Sequence, residues 1–250
     1  MGFFDGKAIL VTGASSGIGK TTAQYLDSLG SKLILIGRNE EQLIDTQKSL
    51  KNESIICVMD LMNIETIEEK IKPIVVNFGA LSGFVHCAGI SENRPLSMFK
   101  YTNLHRVMLV NFYSFYELVR VLTKKGMYSK DGMSIVVISS VAAKVGKEAQ
   151  TAYGASKAAI NGAVHSMAKE LAPKNIRVNS ILPAAVNTAM IQKYYDLKEM
   201  LDAGERKPNE RQYLGMCQPQ YIASAIAFLL SDDSKWITGA EIPVDGGYLE

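Results

Sequence analysis

A tyrosine placed four residues ahead of a lysine, Tyr153 and Lys157, is the pair in this sequence whose chemistry is most directly stated. A free phenol titrates near pH 10 and is a poor acid or base at neutrality, whereas a nearby cation stabilises its phenolate. The spacing sets both side chains on one face of a helix, where the ammonium is expected to depress the phenol's pKa. Ser140 stands just beyond the apolar run Ser134 to Ile138, and there its hydroxyl can hydrogen-bond a substrate oxygen next to the phenol. Ser139 is the competing candidate for that role. Together these groups suit the interconversion of a ketone and a secondary alcohol, which needs a proton donor beside the carbonyl. Tyr194 and Lys198 repeat the spacing, so spacing alone does not select the active pair. Tyr153 differs in its preceding strand and in Gly154, Ala155, Ala158, Ala159 and Gly162, small residues that let its helix pack closely.

A second chemical signal stands near the start of the chain. Thr12-Gly13-Ala14-Ser15-Ser16-Gly17-Ile18-Gly19 follows an apolar run and leads into a helix-like segment, Lys20 to Leu29. Glycines in that place allow a tight turn and close approach to a pyrophosphate, which rests on the unpaired N–H groups and positive dipole end of the helix. The bland alternative is a flexible Gly/Ser turn; the strand and helix on either side favour the dinucleotide. After the second apolar run stand Gly37 and Arg38, where a site preferring NAD usually carries an acid for the ribose. NADP(H) is therefore expected in preference to NAD(H), with Arg38 on the 2′-phosphate, unless Arg38 simply opens the next helix in solvent. Asp60 follows the third run and can accept from the adenine amino group or cap the helix starting near Asn63. No metal is expected, since Cys57, Cys87 and Cys217 are far apart and form no Cys/His cluster.

These residues need a scaffold, and the sequence supplies its rhythm. Ala8 to Thr12, Lys32 to Ile36, Ile55 to Met59, Gly83 to His86, Ser134 to Ile138 and Ile176 to Ile181 are short apolar runs with helical segments between them. Nearly continuous apolar strands are those covered on both faces, so the fold class is α/β, a doubly wound parallel sheet in one domain over residues 1–250. Asn63 is placed to cap a helix carrying Ile64, Ile67, Ile71 and Val75, which Pro73 should kink or end early. From Leu104 to Leu122 apolar residues occupy more than one face, predicting burial on two sides, the second of which a subunit interface could supply. Residues 187–217 break the rhythm with Met, Tyr, Lys and Glu beside Gly204, Pro208 and Gly215, and are read as a substrate lid. With 27 basic against 25 acidic residues the net charge is +2, which predicts no nucleic-acid or anionic-membrane partner. No apolar run reaches the ~18 residues of a membrane span, and no signal segment is visible, so a cytoplasmic location is expected.

Thr12 to Gly19, Cys87-Ala88-Gly89, Asn111, Ser140 and Tyr153-Gly-Ala-Ser-Lys157 together resemble the short-chain dehydrogenase/reductase family over essentially the whole chain. The resemblance implies a seven-stranded parallel Rossmann-type sheet, a homo-oligomer (tetramer or dimer), and a catalytic tetrad of Asn111, Ser140, Tyr153 and Lys157. Asn111 would anchor a water in a proton relay. It also implies cofactor contacts at Gly13, Ser15, Ser16, Gly17, Ile18, Gly19, Arg38, Asp60, Leu61, Ala88, Gly89, Tyr153, Lys157, Pro183, Val186 and Thr188, with Trp236 to Gly247 as the closing strand region. Two positions depart from the usual pattern: His86-Cys87 replaces Asn-Asn before Ala88-Gly89, and Ala184 replaces the glycine after Pro183. The layout is most similar to 3-oxoacyl-acyl-carrier-protein reductases, which implies a small-molecule or carrier-linked carbonyl substrate. Lys144, Lys147 and Lys174 are the candidates for a basic patch facing an acidic carrier protein, with ordinary solvated lysines as the alternative. A sugar or small polyol substrate and a dinucleotide-binding sensor without chemistry remain the rival readings.

Overall fold

The computed structural model describes residues 4–192 and 211–250. Seven strands, β1 (Ala8–Thr12), β2 (Lys32–Gly37), β3 (Ser54–Val58), β4 (Leu81–His86), β5 (Met133–Ile138), β6 (Ile176–Pro183) and β7 (Glu241–Val244), form one sheet in the order β3-β2-β1-β4-β5-β6-β7. Every neighbouring pair is parallel. The first six strands are the predicted apolar runs with ends shifted by at most two residues, and β7 lies within Trp236 to Gly247, the closing region that the resemblance implies.

Alternation along each strand feeds two cores. Leu10, Ile34, Phe84, Ile135 and Val178 point to one face, against α3 (Ile67–Phe78), α5 (Ser114–Leu122) and α6 (Thr151–Leu171). Ile9, Val11, Leu33, Leu35, Val85 and Val136 point to the other, where Leu26 of α1 (Gly17–Ser28) and Ile222 and Ile226 of α7 (Pro219–Leu230) cover them. β1 and β5 are buried at every residue, the price of coverage on both sides. Strand order reverses between β1 and β4, so the carboxyl ends of these two strands flank a crevice where open α/β sheets bind ligands.

One helix expectation is corrected. Asn63 heads only a short 3₁₀ turn, Ile64–Thr66, without a side-chain cap, and α3 then runs through Pro73 to Phe78 rather than ending early. Pro73 and Glu69 are both exposed, so the carbonyl deprived of its N–H partner faces water. The segment from α4 (Tyr101–Met108) to α5 is continuous but contains a π-turn, Leu109–Tyr113. Val107, Phe115, Leu118 and Leu122 are buried, while Tyr101, Tyr113 and Tyr116 are exposed, so the chain itself covers one side of this helix and leaves exposed the side that the sequence reading assigns to a subunit interface.

The stretch read as a lid is seen at its ends. Val186 and Cys217 form a bridge, with the Asn187 N–H donating to the Cys217 carbonyl at 2.8 Å. Tyr194, Lys198, Gly204 and Pro208 lie outside the described residues. Among the described residues no helix is long and apolar enough to cross a membrane, and no cluster of three or more His, Cys, Asp and Glu could hold a metal ion.

Candidate active site

At the carboxyl ends of the strands lies a cavity of about 520 Å³. Ser16 and Ile18 reach it from the glycine loop, Arg38 from beyond β2, Gly89 from beyond β4, and Ser139 and Ser140 from beyond β5. Tyr153 enters from α6, and Pro183, Val186 and Thr188 from the end of β6. Gly13, Ser15, Gly17, Gly19, Asp60, Leu61, Ala88, Asn111 and Lys157 do not line it.

Lys157 is buried behind the phenol. Its ammonium donates to the Ile138 carbonyl at 2.7 Å and lies 5.7 Å from the centre of the Tyr153 ring. Burial, which disfavours the charged form, draws its pKa down to about 8. Burial also pushes the Tyr153 phenol above its ordinary value, opposed by a hydrogen bond with the Ser140 hydroxyl. The expected depression of the phenol by the lysine is therefore absent: desolvation prevails, and the ammonium is turned to a backbone carbonyl. The two serines divide. Ser139 Oγ donates to the Lys157 carbonyl at 3.1 Å, which ties β5 to α6, and Ser140 is the one beside the phenol.

Asn111 sits in the π-turn and is fully buried. Its Oδ1 accepts from the Ile90 N–H at 2.8 Å, and its Nδ2 donates to the Ile90 carbonyl at 3.0 Å and to Ser156 Oγ at 2.9 Å. Ser156 Oγ in turn donates to the Tyr153 carbonyl at 2.7 Å. Both amide hydrogens are thus spent on protein groups, and Asn111 ties the turn after β4 to the tyrosine-bearing helix.

The glycine loop fits a dinucleotide. Gly13 has φ +68°, and a Cβ there would lie 2.9 Å from the Ala88 nitrogen; Gly17 has φ +51° and faces Thr188 Cγ2 at 3.3 Å. Side chains at either position would fill the cleft or strain the backbone. Ser16 makes no side-chain cap on α1, and the first turn has no acid, so the helix's leading N–H groups are free to take an anionic phosphate.

Arg38 precedes α2 (Glu40–Lys48), whose N-cap is Asn39, its Oδ1 accepting from the Gln42 N–H at 3.0 Å. It is exposed at the cavity edge rather than opening the helix. Ser15 lies nearby, 3.4 Å from where a Cβ of Gly37 would stand. Asp60 is exposed and accepts from the Met62 N–H at 2.9 Å, so it closes its own local turn and does not cap a helix at Asn63. Leu61 is buried in the core, leaving only its backbone for a ligand.

The departures from the usual motif are accommodated. Thr12 Oγ1 is 3.0 Å from His86 Nδ1 and accepts from the Ala88 N–H at 3.2 Å, which supports the turn after β4. Burial draws His86 down to about 3 and pushes the Cys87 thiol up to about 12, so both are neutral at physiological pH. Ala184 is not among the residues with left-handed backbone, so no glycine is required there. Of the three lysines proposed for a basic patch only Lys147 lines the cavity; Lys144 pairs with Glu241 at 2.7 Å, and Lys174 Nζ reaches the Thr123 carbonyl at 3.5 Å. The patch is therefore not assembled.

Gln212 was invisible to sequence reasoning. Buried, it accepts from the Ala185 N–H and donates to the Ala185 carbonyl, both at 3.1 Å, and so fixes the backbone between Pro183 and Val186. Nothing in its surroundings in the sequence signals a bond to a residue 27 positions away.

Comparison with known proteins places this geometry. A family model described as enoyl-(acyl carrier protein) reductase matches residues 13–249. The 3-oxoacyl-[acyl-carrier-protein] reductase FabG of Thermotoga maritima is 32% identical over 248 residues, 98% of each chain. L-xylulose reductase of Caenorhabditis elegans is also 32% identical, over 98% of this chain and 96% of its own. Carveol dehydrogenase of Mycobacterium avium, solved in complex with NAD, superposes with a TM-score of 0.87 at 26% identity, covering 100% of this chain and 99% of that one. With the seven-stranded sheet and a match that spans nearly its full length, the chain belongs to the short-chain dehydrogenase/reductase family of oxidoreductases.

Proposed function

We propose that the chain reduces a ketone to a secondary alcohol with NADP(H), using Tyr153 as proton donor, Lys157 as the cation behind it and Ser140 as the group that holds the substrate oxygen. The observation that carries this reading is the convergence of Ser140, Tyr153 and the glycine loop on one cavity, with the buried Lys157 ammonium 5.7 Å from the phenol ring. Gly13 to Gly19, Arg38, Ala88, Gly89 and Thr188 would hold the dinucleotide, which would supply the hydride, and Tyr153 would give its phenol proton to the carbonyl oxygen. A phenol raised by burial keeps its proton at neutral pH, which suits reduction. Arg38 at the cavity edge, with no acid at the end of β2 where Gly37 and Arg38 stand, favours a 2′-phosphate.

Relatives support two substrate classes: a β-keto thioester on a carrier protein, as the FabG name states, and a sugar ketone, as L-xylulose reductase states. The unassembled lysine patch weighs against the carrier protein. Exposed Tyr101, Tyr113 and Tyr116 give a homo-oligomer a face to use. The reading is tested by calorimetric titration of the chain and its Arg38→Ala variant with NADPH and NADH, followed by a ketone panel read at the reduced cofactor's absorbance. NADPH binding should weaken about tenfold or more in the variant, with NADH binding nearly unchanged. Equal effects on both cofactors would refute the assignment of Arg38, and no binding of either would refute the reading.

A further inference from the structure

Beyond the reacting groups, the cavity has a polar wall made by Ser91, Asn93, Lys147 and Gln150. Among the described residues the lining includes two cations, Arg38 and Lys147, and no carboxylate. Arg38 stands by the glycine loop and answers the dinucleotide. Lys147 belongs to the segment that leads into the tyrosine's helix, and nothing in the proposed reaction uses it.

Its setting is built rather than incidental. Lys147 is half-buried, and its ammonium lies 4.7 Å from the centre of the Tyr248 ring. The Asp245 carboxylate fixes the turn that presents Tyr248, Oδ1 accepting from the Gly247 N–H and Oδ2 from the Leu249 N–H, each at 3.0 Å. On the lysine's own side, the Gln150 N–H donates to the Lys147 carbonyl at 3.3 Å, and Ala149 is held at φ +60° with its carbonyl accepting from the Arg94 N–H at 3.0 Å. A left-handed alanine costs free energy and persists only where its surroundings enforce it. An ammonium lying against an aromatic ring gains a modest cation–π attraction, about 0.5–2 kcal/mol, and still lacks an anion. Among the described residues no carboxylate comes within ion-pairing distance of it, although Lys144, three residues earlier, has Glu241.

We infer that Lys147, steadied on Tyr248, is the specificity-determining residue of this cavity and selects ketones that carry a carboxylate, that is, small oxo acids, over neutral ketones. The inference rests on the reductase reading. Lys147 touches neither the carbonyl nor the hydride, so it acts on substrate choice and leaves the chemical step to Tyr153.

The test compares NADPH-dependent reduction of acetoacetate and levulinate with that of their methyl esters, in the unaltered chain and in Lys147→Gln and Lys147→Arg. The expected result is that kcat/KM favours an acid over its ester by about tenfold or more, a difference of ~1.4 kcal/mol. Lys147→Gln should erase that preference through KM, leaving the esters within about twofold, and Lys147→Arg should retain most of it. Esters reduced as well as acids, or a preference unmoved in Lys147→Gln, would overturn the inference and leave the reductase reading standing. NADPH binding by calorimetry without turnover of any probe overturns the inference for these oxo acids. A chain that binds no NADPH loses both.

Discussion

Lys157 and Tyr153 are pulled in opposite directions by the same cause. Burial costs an ammonium its hydration and a phenolate its own, so the lysine drops to about 8 while the phenol rises. Near pH 7 the lysine is therefore largely charged and the phenol fully protonated, the combination from which a proton can pass to a developing alkoxide with a cation behind the donor. As pH climbs through about 8 the lysine loses its charge first. The rate of ketone reduction is expected to fall along an alkaline limb near that value, with the phenol still protonated. In Lys157→Arg, whose guanidinium does not titrate in this range, the limb should disappear even if the rate is lower. Tyr153→Phe should cost about 10²–10⁴-fold in kcat with little change in NADPH affinity. pH–rate profiles of the three proteins decide it: an unaltered limb in Lys157→Arg assigns the titration to another group.

At the scale of elements, Asn111 links three of them. Its amide joins Ile90 beyond β4 to Ser156 on α6, from a π-turn that lets one residue of the α4–α5 helix depart from regular spacing. Asn111→Leu keeps the volume and removes every one of these bonds, leaving the Ile90 N–H and carbonyl without them. A loss of about 1–3 kcal/mol in urea unfolding is expected, together with a fall in kcat larger than the change in cofactor affinity, since the tether reaches Tyr153 through Ser156. Unchanged stability would show that water replaces the amide. The strands were legible because a parallel sheet covered on both faces leaves uninterrupted apolar runs, and Tyr153, Ser140 and the glycine loop because each lies at a strand end or a helix start. The π-turn was not, because a one-residue shift of backbone bonding leaves no mark in composition. Pro73 misled because its cost depends on whether the orphaned carbonyl meets water. Gln212 was hidden because its bonds to Ala185 exist only once the chain has folded.

At the scale of the whole molecule, a buried imidazole in the middle of the sheet works against stability in acid. His86 ends β4 opposite Thr12 of β1, fully buried between Phe84 and Phe115, with Nδ1 on the Thr12 hydroxyl and no hydrogen-bond partner for Nε2 among the described residues. Burial and, secondarily, the charge on Lys157 hold its pKa at about 3, below the ordinary 6.5. Between these values an unfolded chain binds a proton that the folded one refuses, so folding stability rises with pH through this window and falls as pH drops through it. Below about 3 the folded protein takes the proton too, and the loss levels off. The slope that one such group contributes approaches about 1.4 kcal/mol per pH unit. Replacing it with asparagine, the residue usual at this place in the family, keeps a polar partner for Thr12 and removes the titration. Urea midpoints measured from pH 7 to pH 4 should therefore decline less steeply in His86→Asn than in the unaltered chain. Parallel declines would mean that carboxylates elsewhere, not the buried imidazole, set the acid limit of this fold.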